Sequence, residues 1–296
     1  MLTLKHAGSG LESIQDFDFS EVKTFGEFVR IIIDTDIARI NSMRALIYSG
    51  ALDFLPGSRG KKEGKFLAIQ KEKTRDKNRK NKRLGPIDEW VDLYTCPGIH
   101  SIEELASEKL FTGLFISKHM LDLVAATQYG LSTALQNPQE SYDPPIHINA
   151  YVQKCETMKT QKNFWFQKLI LEDKNEFCQA IYFHGYSQKT SKPRDVTNCI
   201  IKCNITKCDE ESMVIADILP IDLKLFYSIT FPQKTKAKQK ELIKKIKDIC
   251  DDNPGMIPIH MSCENGMGEI LGYVNPDIMT KSKITKLGVE LTIKES

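Results

Sequence analysis

The sequence predicts an α+β protein made of several small domains. Three observations carry that expectation. Five short runs of alternating apolar and polar residues fill 145–220, helix-spaced apolar residues precede them on both sides of a basic stretch, and a β-α-β-β-α-β series of patterns follows. At 296 residues the chain has room for two or three compact units, and 41% hydrophobic with 27% charged residues is an ordinary globular balance.

Residues 1–55 form a helical segment. Thr24 with Glu27 makes a capping box, and Phe25, Phe28, Val29 and Ile32 give the first helix its apolar face. A second helix spans about Asn41 to Ser49, with Met43, Leu46 and Ile47 inward and Gly50 as its left-handed stop. Residues 56–100 form a basic linker or arm. Between Lys71 and Arg83 eight Lys or Arg face only Glu72 and Asp76, a net of +6 against a chain total of +2, and no residue there is apolar. That stretch cannot build a core, so it is expected as an exposed arm or the exposed end of a helix begun at Phe66. Residues 101–140 return to helix, with Ser101 and Glu104 as a capping box and Leu105, Leu110, Leu114, Leu121 and Leu123 as apolar positions.

The strands of 145–220 run Ile146–Val152, Met158–Asp173, Phe177–Phe183, Asn198–Ile205 and Met213–Leu219, with polar turns between them. Five strands of this length suit a Greek-key barrel of the OB type. In 221–296 the series is a strand at Leu223–Ile229, a helix at Ala237–Asp251 stopped by Asn253-Pro254-Gly255, strands Met256–Met261 and Glu269–Val274 around Asn265-Gly266, a short helix, and a strand at Val289–Ile293. That order is ferredoxin-like.

No phosphate loop, dinucleotide fingerprint or zinc-protease motif is present. Asp16 and Asp18 have the i, i+2 spacing of a metal-binding carboxylate pair, but nothing around them argues for a strand, and they are expected as solvated loop carboxylates. Of eight cysteines none forms a Cys-x-x-Cys pair, and Cys199, Cys203 and Cys208 fit buried reduced thiols better than a zinc site. Neither a catalytic site nor a cofactor is expected in this chain. No apolar run approaches the ~18 residues of a membrane span, and a cytoplasmic location follows by default.

The candidate site is a nucleic-acid surface. Phe164, Trp165 and Phe166 are adjacent on the second strand among Lys159, Lys162 and Lys168. In a strand, Trp165 faces one side and the two phenylalanines the other, so either Trp165 or the two Phe rings are open for stacking bases. Tyr182, Phe183 and Tyr186 make a second possible platform, and Cys155–Asn163 would be the mobile loop between the first two strands. Lys77, Arg79, Lys80, Lys82 and Arg83 of the arm would meet phosphates.

Several segments resemble a known family. The run Ile40–Asp53, the run Glu108–Asp122, Lys159-Thr160 with Phe166 and Leu171-Glu172-Asp173, Ile181-Tyr182-Phe183, Asn253-Pro254-Gly255 and Leu271-Gly272 are similar, in order, to segments of the C-terminal portion of the bacterial DNA polymerase III alpha subunit. The resemblance covers nearly the whole chain and implies the end of the fingers, an OB domain and a C-terminal domain. It implies binding of single-stranded DNA template and a DNA-replication role beside a separate palm-bearing polymerase chain or other replisome proteins. The family is a DNA-directed DNA polymerase, but its palm and catalytic aspartates are absent here, and Asp16 and Asp18 do not match them. Lys118 and Met120 replace the family's Gly and Pro in the "SGHPL" turn. No Gln-x-x-Leu-Phe type peptide lies between Asp53 and Glu108, which leaves sliding-clamp binding doubtful. Two alternatives stay open: a stand-alone single-stranded nucleic-acid-binding accessory, and a protein-interaction or assembly module.

Overall fold

The computed structural model describes residues 21–34, 40–77, 100–127, 130–184, 192–209, 212–231, 236–263 and 266–295. The chain forms two compact units, divided between Ser117 and Lys118.

The first unit is helical. Helix α1 spans Phe25–Asp34, and its expected capping box is present: Thr24 Oγ1 accepts from the Glu27 amide at 3.2 Å, and the Glu27 carboxylate accepts from the amides of Lys23 and Thr24. Helix α2 spans Ile40–Tyr48 and ends before Gly50 at φ 82°. A side chain at Gly50 would meet the Arg59 guanidinium, so this turn needs both the φ and the space that glycine supplies. Helix α3 spans Arg59–Lys77, beginning well before the expected Phe66. The early turns carry no apolar signal because they are polar inside: Arg59, Lys62 and Glu63 are all buried in ion pairs or backbone contacts. Helix α4 spans Ser101–Thr112. Its cap is His100 with Glu103, one residue before the expected Ser101 and Glu104, because the His100 ring nitrogen accepts from the Ile102 amide as a hydroxyl would. Phe28, Ile32, Met43, Phe66, Ile102 and Phe111 fill the core, and Tyr48 stacks on Phe111 with centroids 6.3 Å apart.

The second unit begins with a 3-10 turn, Met120–Leu123, and helix α5, Leu131–Gln136. Asp173 accepts from the amides of Leu131 and Ser132, fixing α5 to the barrel. The barrel strands are β1 Ile146–Lys159, β2 Trp165–Glu172, β3 Phe177–Phe183, β4 Ile200–Cys208 and β5 Ser212–Pro220. They close in the order β1-β2-β3-β5-β4, with β3 and β5 parallel and the other described pairs antiparallel, an OB-like barrel. A bulge between Val152 and Lys154 bends β1 so that one strand pairs with β4 at its start and β2 at its end. Ile148, Ala150, Leu169, Leu171, Ile201, Cys203, Ile205 and Ile215 fill the interior.

The C-terminal elements are β6 Leu225–Thr230, α6 Lys236–Asp252, β7 Ile257–Cys263, β8 Gly266–Val274, α7 Ile278–Thr285 and β9 Glu290–Glu295. The element order matches expectation, but the ferredoxin-like topology does not hold. That topology splits its βαβ unit with an intervening strand. Here β6 and β7, joined by α6, are direct parallel neighbours, and the sheet order is β8-β7-β6-β9. Helix α6 lies on β8, where Cys250 packs so close to Gly272 that a side chain there would sit 2.8 Å from it. The segment that stops α6 also joins sheet and barrel: the carboxamide of Asn198 donates to Pro254 O, and Arg194 donates to Gly255 O at 2.7 Å while its guanidinium lies over Tyr273.

Candidate nucleic-acid interface

Strand β2 starts at Trp165, which decides the aromatic question. Gln167, Leu169 and Leu171 alternate into the barrel, so Phe166, Lys168 and Ile170 face outward. The pairing register turns this into a patterned outer face. Phe166 lies opposite Met158 of β1 and Phe183 of β3; Lys168 lies between Glu156 and Ile181; Ile170 lies between Lys154 and Gln179. Phe166 and Phe183 stack with centroids 5.8 Å apart and planes 28° from parallel, and Phe183 is 52% exposed. Next to this apolar row the face holds a shallow depression of about 330 Å³, lined by Lys154, Glu156, Lys168, Ile170, Gln179, Ile181 and Ser212 among others.

The other expected aromatics fall elsewhere. Phe164 precedes the strand, half-buried in a turn closed by Thr160, so it does not share a face with Phe166 as an alternating strand would require. Trp165 is half-buried on the inward side of β2. The Lys159 ammonium lies 4.4 Å above its ring, and its buried indole nitrogen has no hydrogen-bond partner among the described residues. Tyr182 is not a platform. Cys178, Ala180 and Tyr182 alternate inward on β3, which leaves Tyr182 9% exposed and edge-on to His184 at 4.4 Å. Burial pushes its hydroxyl above the ordinary phenol range. His184 in turn meets the Gln167 carboxamide at 3.0 Å, and the Gln167 nitrogen lies within donating distance of Arg194 O, Thr157 Oγ1 and Cys155 Sγ, so the buried Gln167 carboxamide is satisfied at both ends.

The loop expected at Cys155–Asn163 is largely strand. The bulge lets β1 continue to Lys159, and the connection shrinks to a tight turn with Asn163 at φ 64°. Lys159 and Lys162 are exposed at this end, and Lys168 is exposed on the outer face. Glu156 tempers the charge there. It pairs with Lys154 at 2.5 Å, and that contact holds its carboxyl below the usual carboxylate range. Lys77 ends α3. Arg79, Lys80, Lys82, Arg83, Tyr186, Asp16 and Asp18 lie outside the described residues.

In the sequence Phe183 reads only as part of a second platform, and nothing marks Met158. Their adjacency to Phe166 depends on the β1–β2–β3 register, which is fixed only once the ends of the strands are known. Cys199, Cys203 and Cys208 sit in the barrel interior, and burial pushes the Cys199 thiol up to about 12. Among the described residues no cluster of three or more His, Cys, Asp or Glu is placed to hold a metal, and no helix is long and apolar enough to cross a membrane.

No protein-family description matches the sequence, and no curated protein matches it. Among solved structures, a chain named as an aspartyl-tRNA synthetase from Leishmania major Friedlin is similar at 12% identity with a TM-score of 0.25. The match covers 52% of this chain and 40% of that one, and a likeness at this level assigns no function.

Proposed function

We propose that this chain binds single-stranded DNA across the outer face of the barrel, as a replication protein resembling the C-terminal portion of the DNA polymerase III alpha subunit without its palm. The observation that carries the binding reading is the stack of exposed Phe183 on half-buried Phe166, on neighbouring strands of a closed five-stranded barrel. An open Phe183 ring backed by Phe166 and flanked by Met158 and by Lys168 offers unpaired bases a π surface beside a cation. Duplex bases are already stacked and cannot use it. OB-type barrels take ligands on this strand 2–3 face. The replication half of the proposal rests on the colinear sequence resemblance, and a palm-bearing partner chain is its corollary.

The test is anisotropy of labelled oligo-dT titrated with the whole chain at several salt concentrations. Micromolar or tighter binding, weakened about fivefold or more by Phe183→Ala at about 1–3 kcal/mol per stacked base, supports the reading. Binding that ignores Phe183 and Phe166 moves the site off this face. Recovery of a palm-bearing polymerase chain with the tagged protein separates a replisome subunit from a stand-alone accessory.

A further inference from the structure

We infer that helix α6 is a second nucleic-acid surface, one that takes the phosphodiester backbone and does not distinguish paired from unpaired strands. It deepens the proposed function but draws on a different part of the molecule.

The charge on α6 is segregated. Its first twelve residues, Lys236–Lys247, carry six lysines and one acid, Glu241; its last five carry Asp248, Asp251 and Asp252 and no cation. This runs against the helix dipole, which favours acids in the first turn and bases in the last, and α6 has neither. An arrangement that opposes the helix's own electrostatics is not accounted for by helix stability. It concentrates positive potential at one end instead.

The packing face cannot account for it either. Ile246 and Cys250 are buried against the sheet, and Leu242, Ile243 and Ile249 flank them, so apolar contacts fix the helix. Lys238, Lys240, Lys244, Lys245 and Lys247 all stand on the exposed side. Two have carboxylate company: Lys245 pairs with Glu241 at 2.6 Å, and Lys247 lies 3.6 Å from Glu269. Lys240 and Lys244, one turn apart on one stripe, have no ion-pair partner among the described residues. No aromatic or large apolar side chain of α6 is exposed. The surface therefore offers nothing for a base to stack on. Its chemistry fits regularly spaced anions, which a phosphate backbone supplies in either strand form.

The experiment compares three variants of the whole chain on a labelled duplex and on labelled oligo-dT, each over a salt series. Lys240→Gln with Lys244→Gln should flatten the salt dependence on duplex by about 1.8, two contacts at about 0.9 each, and weaken duplex binding about tenfold at low salt. Lys245→Gln with Lys247→Gln removes the same charge from partnered lysines and should do much less. Phe183→Ala should leave duplex binding unchanged. Equal effects of the two lysine pairs would make this a matter of overall charge and overturn the inference, as would a wild-type chain that ignores duplex at low salt. Loss of oligo-dT binding in Phe183→Ala alone, with both lysine pairs silent, would keep the barrel reading and sink this one. A lysine effect with Phe183→Ala silent would do the reverse.

Discussion

In the helical unit the buried charges are Arg44, Arg59, Lys62, Glu63, Glu103 and Glu108; the barrel strands bury the carboxylate of Glu172, 3.7 Å from the His119 ring, and the Gln167–His184 pair, and the rest of that depth is filled by aliphatic side chains and the thiols of Cys178, Cys199, Cys203 and Cys208. The two interiors hold together by different means. Glu108, fully buried, pairs with Arg59 at 2.5 Å and accepts from the amides of Ile116 and Ser117 and the Ser117 hydroxyl. Arg59 also meets Asp53 at 2.6 Å. Burial works against the Arg59 charge, but these carboxylates hold the guanidinium more firmly protonated than usual. Glu63 pairs with Arg44 and accepts from the Tyr48 hydroxyl, each at 2.6 Å. Such a network is strong while complete and fails when one member is lost. An apolar barrel degrades gradually.

The first way to break this comparison is Glu108→Ala, which takes the buried one of Arg59's two carboxylates and leaves the Ile116 and Ser117 amides without their acceptor. It should cost about 3–5 kcal/mol in the helical unit, read as loss of helical signal in urea, while Cys203→Ala in the barrel should cost no more than about 2 kcal/mol. Equal costs would mean that the ion network is ornamental.

The same contrast explains what could be read from sequence. Barrel strands announce themselves by alternation, and Met213–Leu219 or Phe177–Phe183 needed nothing beyond the period of two. The early turns of α3 could not be read this way. Arg59-Gly-Lys-Lys-Glu-Gly looks like a solvated loop unless its partners Asp53, Glu108 and Arg44 are known, and they lie up to 49 residues away. The sheet of the C-terminal elements was legible in order but not in pairing, because a βαβ unit reads the same whether or not a third strand enters between its two. At the candidate site the rings were visible and their faces were not: alternation sets Trp165 opposite Phe166, but only the packing of Gln167, Leu169 and Leu171 says which of the two is open, and the strand start at Trp165 leaves Phe164 off that face.

A sharper comparison lies within one strand. Tyr182 and Phe183 are adjacent, one inside the barrel and one 52% exposed. Tyr182→Ala should cost about 3 kcal/mol of stability through the cavity it leaves. Phe183→Ala should leave the urea midpoint within about 0.5 kcal/mol of wild type and appear only in DNA binding. Should Phe183→Ala unfold the barrel as Tyr182→Ala does, the outer ring pair is structural and the interface must be sought elsewhere.

Alkaline titration separates the two interiors again. Burial pushes the barrel thiols of Cys199 and Cys178 up to about 12. A thiol raised in the folded state is fully stabilising below its unfolded value near 9 and loses that contribution as pH climbs toward 12. Each strongly buried thiol therefore gives up roughly 1.4 kcal/mol per pH unit above 9. The urea midpoint of the barrel should fall between pH 9 and 11, while the buried Cys178, Cys199 and Cys203 react with thiol reagents only on unfolding and half-exposed Cys155 reacts without it. Rapid labelling of the buried three at pH 8 without unfolding would mean that these thiols are open to solvent.

The smallest effect compares two helix caps in the two units. Thr24 caps α1 at the surface, where its Oγ1 accepts from Glu27 N. Asp277 caps α7 from a buried position, accepting from the Thr280 amide at 2.9 Å, the Thr280 hydroxyl at 2.7 Å and the Asn275 carboxamide at 3.1 Å. Desolvation raises its carboxyl pKa despite those donors. Thr24→Ala should cost about 0.5–1 kcal/mol and Asp277→Ala about 2 kcal/mol, the two ends of the range for lost caps. Asp277→Asn should recover much of that loss, since it keeps an acceptor for the Thr280 amide and no longer has to bury a charge. If the asparagine variant is as unstable as the alanine one, the charge itself holds α7 against the sheet, and the barrel unit would then rest on a buried ion as the helical unit does.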